Sequence, residues 1–558
     1  MSGVAEFPLK RSRSITTVPG AQMSGGAYEA ASRQNRELAM WAPPIQSVDA
    51  DIIPSKERID SRAIDLARND GFVSSAISFH KDAVIGGQFM LNCRPDTVAL
   101  GLDEVWEEEF QAEVESLFTN WAESPRNWVD ASRRNTFTSM LRLCVGIYLY
   151  AGEVLLTSEW IDRESEPFRP FHTCFQMIEL SRLSNPMFGT VGTRRRRTRA
   201  GVEIDSYGAP VAYHIRRMTP GDLPDLYGAS LRTNSWARVR AVNSFGRPQV
   251  VHVMEQQRPG QTRGVSQMVA GLKEMRVTQR FRDIILQNAV VNATFAASIE
   301  SELPKETVYE ALGAGDSKKK ITDYADAYLG AIAEYAAEGR GFQLDGAKIP
   351  HFYPGTKLNL HPMGRPGGIG TEFEAALVRH TAATLDMSYE ELSRDYSKTN
   401  YSSSRSSAAV TFRAMTSRKR MVAERVAYFV FRNWFEEALN AGRITTMNAA
   451  RIPNFYENEE AFLRCSWIGG ARGQIDEEKE TKAAVARLEA GLSTWEDELA
   501  HFGKDWRQVY RQLRREMQVR EELGLSFTTS EVAAAVAEAA PEPEPGTGVD
   551  DRNTGAAE

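Results

Sequence analysis

The sequence contains few cysteines and no long apolar run. Its 558 residues include 4 cysteines, none of them in a C-x-x-C pair, so neither a disulfide framework nor a zinc site is predicted. No stretch approaches the roughly 18 apolar residues that span a bilayer, and the basic N-terminus is not followed by the apolar stretch of a secretory signal. We therefore expect a soluble chain that is made in a cytoplasm and has no contact with a membrane.

The motifs that carry common enzymatic chemistry are also missing. There is no G-x-x-x-x-G-K-[ST] to hold phosphates, no H-E-x-x-H, no G-x-S-x-G and no G-x-G-x-x-G. The richest glycine cluster, 364–370, lacks the lysine of a phosphate loop. His351 and His361 lie among prolines without a third ligand, which is weak support for a metal. We expect no catalytic residue, no metal and no cofactor.

Size and charge limit the remaining possibilities. A chain of 558 residues with 42% hydrophobic residues is expected to form several modules around more than one core. The net charge of -7 argues against a protein that coats nucleic acid over its whole surface, although a local basic strip is compatible with it.

Hydrophobic periodicity predicts an α+β, helix-rich fold. Apolar residues that recur every three or four positions predict helices at 56–84, 104–122 and 408–441. Short apolar runs between Gly and Pro turns predict strands at 144–150, 153–156, 202–205 and 250–254. The ends of the chain, 1–50 and 528–558, have little to bury, and we expect a flexible arm and a disordered acidic tail.

Two further helices flank an insertion rich in proline and glycine. The first is predicted from about Val277 to Ser301, and the second begins with an apparent capping box, Thr371–Glu374. Residues 302–368, between the two helices, contain several helix breakers.

Positive charge is concentrated after the second of these helices. Between 394 and 425 there are eight basic residues (Arg394, Lys398, Arg405, Arg413, Arg418, Lys419, Arg420, Arg425) against two acidic ones (Asp395, Glu424). Short hydroxyl and amide side chains among them suit phosphate oxygens, but a basic helix start is more often only a solvated face. Two other basic runs leave alternatives open. Arg194–Arg197 is compatible with a contact to nucleic acid, although an exposed loop is favoured, and Lys318–Lys320 suits a protein partner as well as a phosphate.

Several segments, in order along the chain, resemble the lambda-type bacteriophage portal family. The most specific are Arg258-Pro-Gly-Gln-Thr-Arg-Gly-Val-Ser266 and Asn400-Tyr-Ser-Ser-Ser-Arg405. Weaker matches include Ala63–Asn69, Val84–Gln88, Ile475–Glu480 and Gly491–Thr494. The segment Met387-Ser388-Tyr389 departs from the Val-Pro turn that is more usual at that point in the family.

The resemblance implies a ring of about twelve subunits, a dodecamer, at one capsid vertex. Each subunit would have a wing, a stem of two helices, a clip inserted between them, a tunnel loop with its helix, and a helical crown. Mapped on this chain, these parts are an arm (1–50), the wing (51–275), stem helix 1 (276–301), the clip (302–368), stem helix 2 (369–393), the tunnel loop and helix (394–441, the loop itself being 394–407), the wing return and crown (442–527) and the tail (528–558).

The resemblance also implies partners and site residues. Double-stranded DNA would pass through the ring without sequence-specific contact, and the expected contacts are Lys398, Asn400, Tyr401, Ser402, Ser403 and Arg405. The clip, with Lys318, Lys319 and Lys320, would bind the terminase large subunit and later head-completion or tail connector proteins. Arg418, Lys419 and Arg420 are expected at the interface with a neighbouring subunit. The ring would join the major capsid protein in the virion after assembly in the host cytoplasm.

Two other classes of protein remain as alternatives at this point. One is a DNA-processing enzyme of the packaging system, a nuclease or a motor, which the missing nucleotide and metal motifs disfavour. The other is a minor capsid or scaffold-type structural protein without a DNA channel.

Overall fold

The structure, a computed structural model, describes part of the chain. The described residues are 30, 36–38, 40–162, 164, 166–186, 197–219, 236–294, 342–344, 347–349, 369–397, 399–448, 451–471 and 477–524. The arm up to residue 29, the lysines Lys318–Lys320 and the tail 528–558 therefore lie outside the described residues.

Helices dominate the described residues, and short strands lie mostly in the middle of the chain. The helices are α1 Val48–Asn69, α2 Gly71–Val84, α3 Thr97–Leu100, α4 Glu104–Ala122, α5 Phe137–Ala151, α6 Leu272–Thr294, α7 Ile369–Thr384, α8 Tyr389–Ser393, α9 Tyr401–Arg418, α10 Arg425–Asn440, α11 Glu459–Phe462, α12 Glu477–Glu489, α13 Trp495–His501 and α14 Trp506–Glu522. The strands are β1 Met90–Cys93, β2 Glu153–Trp160, β3 Thr173–Met177, β4 Arg197–Arg199, β5 Val202–Ile204, β6 Pro210–Arg216, β7 Trp236–Arg240, β8 Val250–Met254, β9 Phe342–Leu344, β10 Ala347–Ile349 and β11 Cys465–Ile468. The predicted α+β, helix-rich class is confirmed.

The first predicted helix is two helices. The side chain of Asp70 accepts hydrogen bonds from the N–H groups of Phe72 and Val73, both at 3.0 Å, and so starts α2 directly after α1. An aspartate in this position satisfies N–H groups that have no partner inside the helix. Helix α1 itself begins at Val48 behind the cap Ser47, so the last residues of the predicted arm are helical.

The strand predicted at 144–150 is wrong, because these residues lie in helix α5. Thr136 caps the helix, and its residues 140, 141, 144, 145, 148 and 149 are buried, which is a helical spacing. Helix α5 packs against other elements on several sides, and its sequence is therefore almost continuously apolar. A short apolar run of this kind cannot be distinguished from a buried strand by periodicity alone.

The strands form small antiparallel sheets. One has the order β3-β2-β8, another β4-β5-β6-β7, and two are pairs, β1-β11 and β9-β10. The predicted strands at 153–156, 202–205 and 250–254 are confirmed as β2, β5 and β8. The pair β1-β11, which joins Met90 to Ile468, is a connection between distant parts of the chain. The pair β9-β10 lies in the Pro/Gly-rich insertion.

The largest core is aromatic and centres on α4, α5 and α10. Trp121 and Trp434 stack with ring centroids 6.0 Å apart, and Phe118 lies edge-on to Trp434 at 5.2 Å. All three side chains are at most 2% exposed. Contacts of this kind add to the burial of large apolar areas. The helices predicted at 104–122 and 408–441 thus share one hydrophobic core.

The two helices that flank the insertion pack side by side. Phe281 of α6 and Phe373 of α7 meet edge to face at 5.2 Å, and Arg282 pairs with Glu374 at 3.2 Å. Helix α6 starts at Leu272, earlier than predicted, and residues 295–301 lie outside the described residues. Helix α7 ends at Thr384, earlier than the predicted stem helix.

The predicted capping box at Thr371–Glu374 is wrong. Helix α7 starts at Ile369, so this sequence lies within the helix. The capping box is found at the next helix, where Ser388 accepts a hydrogen bond from Glu391 N and the Glu391 side chain accepts one from Ser388 N. The segment Met387-Ser388-Tyr389, which differs from the Val-Pro turn usual in the family, therefore forms the start of helix α8.

The segment that begins with Arg258 closes a buried ion cluster. Arg263 donates to Glu153 at 2.6 Å, Lys56 lies 3.2 Å from the same carboxylate, and Gly264 N donates to it at 2.6 Å. Burial alone would raise the pKa of Glu153, but Arg263 and Lys56 outweigh it and hold the pKa well below its usual value. The segment that begins with Arg258 therefore joins β2 to α1.

The chain ends, within the described residues, in three helices with little burial. Helix α12 is the first of them, and Gly491, in the left-handed region at φ 67°, follows it. Thr494 caps α13, where its side chain accepts a hydrogen bond from Asp497 N. Among the helices of the described residues, none is both long enough and apolar enough to cross a membrane.

Candidate nucleic-acid interface

The basic segment begins with a loop that is shorter than predicted. Residues 401–407, expected in the loop, form the first turns of α9. Asn400 accepts a hydrogen bond from Ser403 N at 2.8 Å through its side chain, and Ser403 Oγ donates to the same oxygen at 2.6 Å. Serine and asparagine have low helix propensity in general, but they stabilise a helix at its first residues. Of the predicted loop, the described residues that precede the helix are thus 394–397, 399 and 400.

The expected DNA contacts have different environments. Asn400 and Ser403 are occupied with each other as the cap of α9, whereas Ser402 and Arg405 are exposed. Lys398 lies outside the described residues, and Tyr401 is the first residue of the helix. Among the residues expected to contact DNA, Ser402 and Arg405 therefore present free polar groups on the described surface.

Helix α9 exposes a basic stripe that the sequence analysis did not single out. Five exposed residues follow one another at helical spacing along one face, and we call them the basic stripe: Ser402, Ser406, Arg413, Ser417 and Arg420. Between 401 and 420 the chain contains no acidic residue. Arg413 and Arg420 form no ion pair within the part of the chain that the structure describes. Their charge is therefore available to a partner.

Arg418 lies on the opposite face and is buried. It is 7% exposed, and its Nη2 lies 3.0 Å from Asp386, which follows α7. The same guanidinium donates to Gln267, which precedes α6, and to Nδ1 of His80. Because Arg418 is bound to groups of its own subunit, the expectation that it faces a neighbouring subunit is corrected.

His80 of α2 completes this junction in its neutral form. Its Nε2 lies 3.0 Å from the carbonyl of Leu385 and donates to it, which leaves Nδ1 to accept from Arg418. Burial and the neighbouring guanidinium hold the pKa of His80 well below its usual value. The junction thus ties the ends of α6 and α7 to the middle of the long helical segment 401–440.

The helix changes its winding at this point. Residues Lys419–Glu424 form a π-helical turn between α9 and α10. Lys419 donates to the carbonyl of Trp467 and pairs with Glu424 at 3.8 Å, so this lysine is also engaged within its own subunit. Arg420 alone of the three residues expected at a subunit interface is exposed. Wider turns of this kind often occur at functional positions.

The other basic runs are only partly described. Of Arg194–Arg197, only Arg197 belongs to the described residues, and it starts β4 rather than lying in a turn. Arg199, in the same strand, pairs with Asp49 at 2.8 Å. Lys318–Lys320 lie outside the described residues.

Neither a metal site nor a reactive thiol is evident in the described residues. Within them, no group of three or more His, Cys, Asp or Glu side chains could hold a metal ion. The four cysteines are free, and burial raises the pKa of Cys174 to about 12 and that of Cys465 to about 12. Such thiols are poor nucleophiles at neutral pH.

Known proteins resemble this chain over most of its length. Residues 34–420 match the family described as "Phage portal protein, lambda family". The portal protein of Escherichia phage N15 is 35% identical over 490 residues, which cover 88% of this chain and 89% of that protein. Portal protein B of Escherichia phage lambda is 35% identical over 491 residues, with the same coverage of 88% and 89%. A probable portal protein of Halomonas phage phiHAP-1 is 23% identical over 498 residues, or 88% of this chain and 87% of that protein.

Two solved structures of the neck of gene transfer agent particles are more distant. The neck of an empty particle has a TM-score of 0.37 and 13% identity, over 80% of this chain and 93% of that chain. The neck of a native particle, computed with C12 symmetry, has a TM-score of 0.35 and 11% identity, over 81% and 99% of the two chains. On the family match and the 35% identity to the phage N15 and lambda proteins, this chain belongs to the lambda family of phage portal proteins.

Proposed function

We propose that about twelve copies of this chain form the ring through which double-stranded DNA enters and leaves the phage head. The ring occupies one vertex of the capsid, is assembled in the host cytoplasm and contacts the major capsid protein. Its part is that of a conduit and docking platform, without catalysis of its own. The observation that carries the DNA assignment is the basic stripe on α9.

The composition of the basic stripe suits a moving duplex. Arg413 and Arg420 lie seven residues apart, which is about 10 Å along a helix axis at ~1.5 Å per residue. Their contacts with phosphate carry no sequence information and exchange readily, whereas base readout would stall translocation. The net charge of -7 keeps the rest of the chain from adhering to DNA. Rotational symmetry turns each arginine into a circle of equal charges that act together.

The loop before α9 belongs to the same proposed surface. Lys398, Asn400, Tyr401, Ser402, Ser403 and Arg405 remain its proposed members, with Asn400 and Ser403 holding the helix start and Ser402 and Arg405 exposed. Arg420 joins this surface instead of the interface between subunits, because it shares the face of Arg413.

The insertion between α6 and α7 is the proposed clip. Its place between two paired helices favours a projecting knob, and Lys318, Lys319 and Lys320 are proposed to bind acidic surfaces of its partners. These partners are the terminase large subunit during packaging and head-completion or tail connector proteins afterwards.

The test of the DNA assignment replaces the exposed charges without touching the core. Arg413→Ala/Arg420→Ala and Lys398→Ala/Arg405→Ala should leave ring assembly intact, since the described side chains among them are exposed. Each pair should lower the yield of filled heads roughly tenfold, because a whole circle of phosphate contacts is lost per position.

The matched control is Arg217→Ala/Arg240→Ala, which removes two exposed arginines of the wing. This control should fill heads at the wild-type level. Heads of the stripe and loop variants that fill and retain DNA normally would refute the DNA contacts, although family membership would stand.

A further inference from the structure

The last three described helices present surfaces that their own subunit does not cover. No residue of α12 or α14 is buried. Few contacts tie these helices to the rest of the subunit: Glu496 of α13 pairs with Arg94, and Arg507 and Arg511 of α14 lie close enough to Glu115 of α4 to influence its pKa. Helices with apolar residues and no buried side chain are stable only when another surface covers them.

Helix α14 carries an apolar stripe with a basic flank. Tyr510, Leu513 and Met517, which we call the apolar stripe, are 40%, 45% and 67% exposed. Steps of three and four residues place them on one face of the helix. Arg511 and Arg514 lie beside them on one side of that face, by the same helical geometry.

Helix α12 carries the complementary surface. Thr481, Lys482, Val485 and Ala486 line a shallow, open groove of 670 Å³, and Glu477, Glu478 and Glu489 stand at its ends. Val485 is 43% exposed. Lys482 pairs with Glu478, and the remaining glutamates keep this face acidic, so it suits apolar side chains with a basic flank.

We propose that the apolar stripe of α14 in one subunit packs into the α12 groove of the next copy of this chain. The two surfaces differ, so the contact is heterologous, and a heterologous contact that is repeated by rotation closes a ring. This inference rests on the ring proposed above and assigns one of its interfaces to the C-terminal helices.

A second copy fits these surfaces better than DNA does. Arginines alone would suit a phosphate backbone, but DNA would leave Leu513 and Met517 in water and would be repelled by Glu478 and Glu489 of the groove. Another helix covers the apolar residues and pairs the charges at the same time.

Cysteine pairs test the contact directly. In the assembled protein, Val485→Cys is combined in turn with Tyr510→Cys, Leu513→Cys and Met517→Cys, so that neighbouring registers of the two helices are sampled. Under mild oxidation at least one pair should give disulfide-linked dimers and higher multimers on denaturing gels, because a disulfide needs Cα atoms about 4.4–6.8 Å apart. Val485→Cys/Arg515→Cys, with Arg515 on the far face of α14, should stay monomeric on the same gels.

The outcomes separate this interface from the ring itself. If the wild type forms rings but none of the three cysteine pairs gives an intermolecular disulfide, the proposed interface is contradicted and the ring is not. A disulfide within one chain would also contradict it, because the two helices would then cover each other. Wild-type protein that stays monomeric at all concentrations would instead refute the proposed function.

Charge reversal gives an independent readout. Glu478→Arg/Glu489→Arg, or Arg511→Glu/Arg514→Glu, should raise the protein concentration needed for half-maximal assembly roughly tenfold, and the four changes together should restore it. The proposal is overturned if the wild type, the two double variants and the quadruple variant all assemble at the same protein concentration.

Discussion

Glu153 and Arg263 form the kind of contact whose loss is costly at the scale of one residue. The Glu153 carboxylate is completely buried, and Arg263 also donates to the carbonyls of Leu183 and Ala200. The guanidinium thus neutralises a charge and also connects β2 to the backbone at Leu183 and Ala200. A buried charge that loses its partner cannot recover its hydration.

Arg263→Met should lower the free energy of unfolding by about 3–5 kcal/mol, because it leaves the Glu153 carboxylate buried with fewer positive charges. Chemical denaturation monitored by fluorescence measures this change. The matched control is Arg258→Met in the same segment, whose pair with Asp51 is 51% and 41% exposed and should contribute at most about 1 kcal/mol. Equal effects of the two variants would contradict the assigned role of Arg263.

The same carboxylate predicts a pH dependence. The pKa of Glu153 is held well below 4.5 in the folded state, so its ion pairs contribute stability above that pH, and the contribution is lost as the pH falls through the folded pKa. The difference in unfolding free energy between wild type and Arg263→Met should therefore shrink as the pH is lowered from about 4.5 toward the folded pKa of Glu153. A difference that stays constant over this range would exclude Glu153 as its source.

At the scale of helices and strands, sequence patterns identified much of the fold but misplaced several ends. Helix α4 follows from the helical spacing of its apolar residues, and strands β2, β5 and β8 follow from short apolar runs between Gly and Pro turns. Helix α5 was missed because it is buried on several sides. The pair β1-β11 could not be foreseen, because no local signal links Met90 with Ile468.

The candidate site shows the same limits. Arg418, Lys419 and Arg420 were treated alike, yet Arg418 follows Met415 by three residues and precedes Val422 by four, and both of these are buried. This spacing indicated that Arg418 shares the buried face. The same helical spacing places Arg413 and Arg420 on the exposed face together with Ser402 and Ser406. The basic stripe could therefore have been predicted from the sequence.

The start of α9 offers a prediction about one helix. Asn400→Ala removes the cap and should destabilise the first turn by about 1 kcal/mol, because the N–H of Ser403 loses its acceptor. Hydrogen exchange of the amides of 402–404 should become faster, while amides near Trp434 stay protected. Ser402→Ala, an exposed residue of the same turn, serves as the control and should leave the exchange of these amides nearly unchanged.

At the scale of the whole molecule, the junction around Arg418 connects regions with different proposed tasks. It joins the ends of α6 and α7, which flank the proposed clip, to the helix that carries the basic stripe. Exposed surfaces on α9, α12 and α14 remain after the subunit has folded. In the proposed ring, rotational symmetry would bring neighbouring subunits against α12 and α14 and would place α9 at an axial channel.

Cryo-electron microscopy of the assembled protein tests the central claim most directly. We expect a closed ring of about twelve subunits, with a channel wide enough for a duplex of roughly 20 Å and with Arg413 and Arg420 facing the axis. The account is contradicted if the assembled particle has no axial channel, or if the basic stripe faces away from the axis.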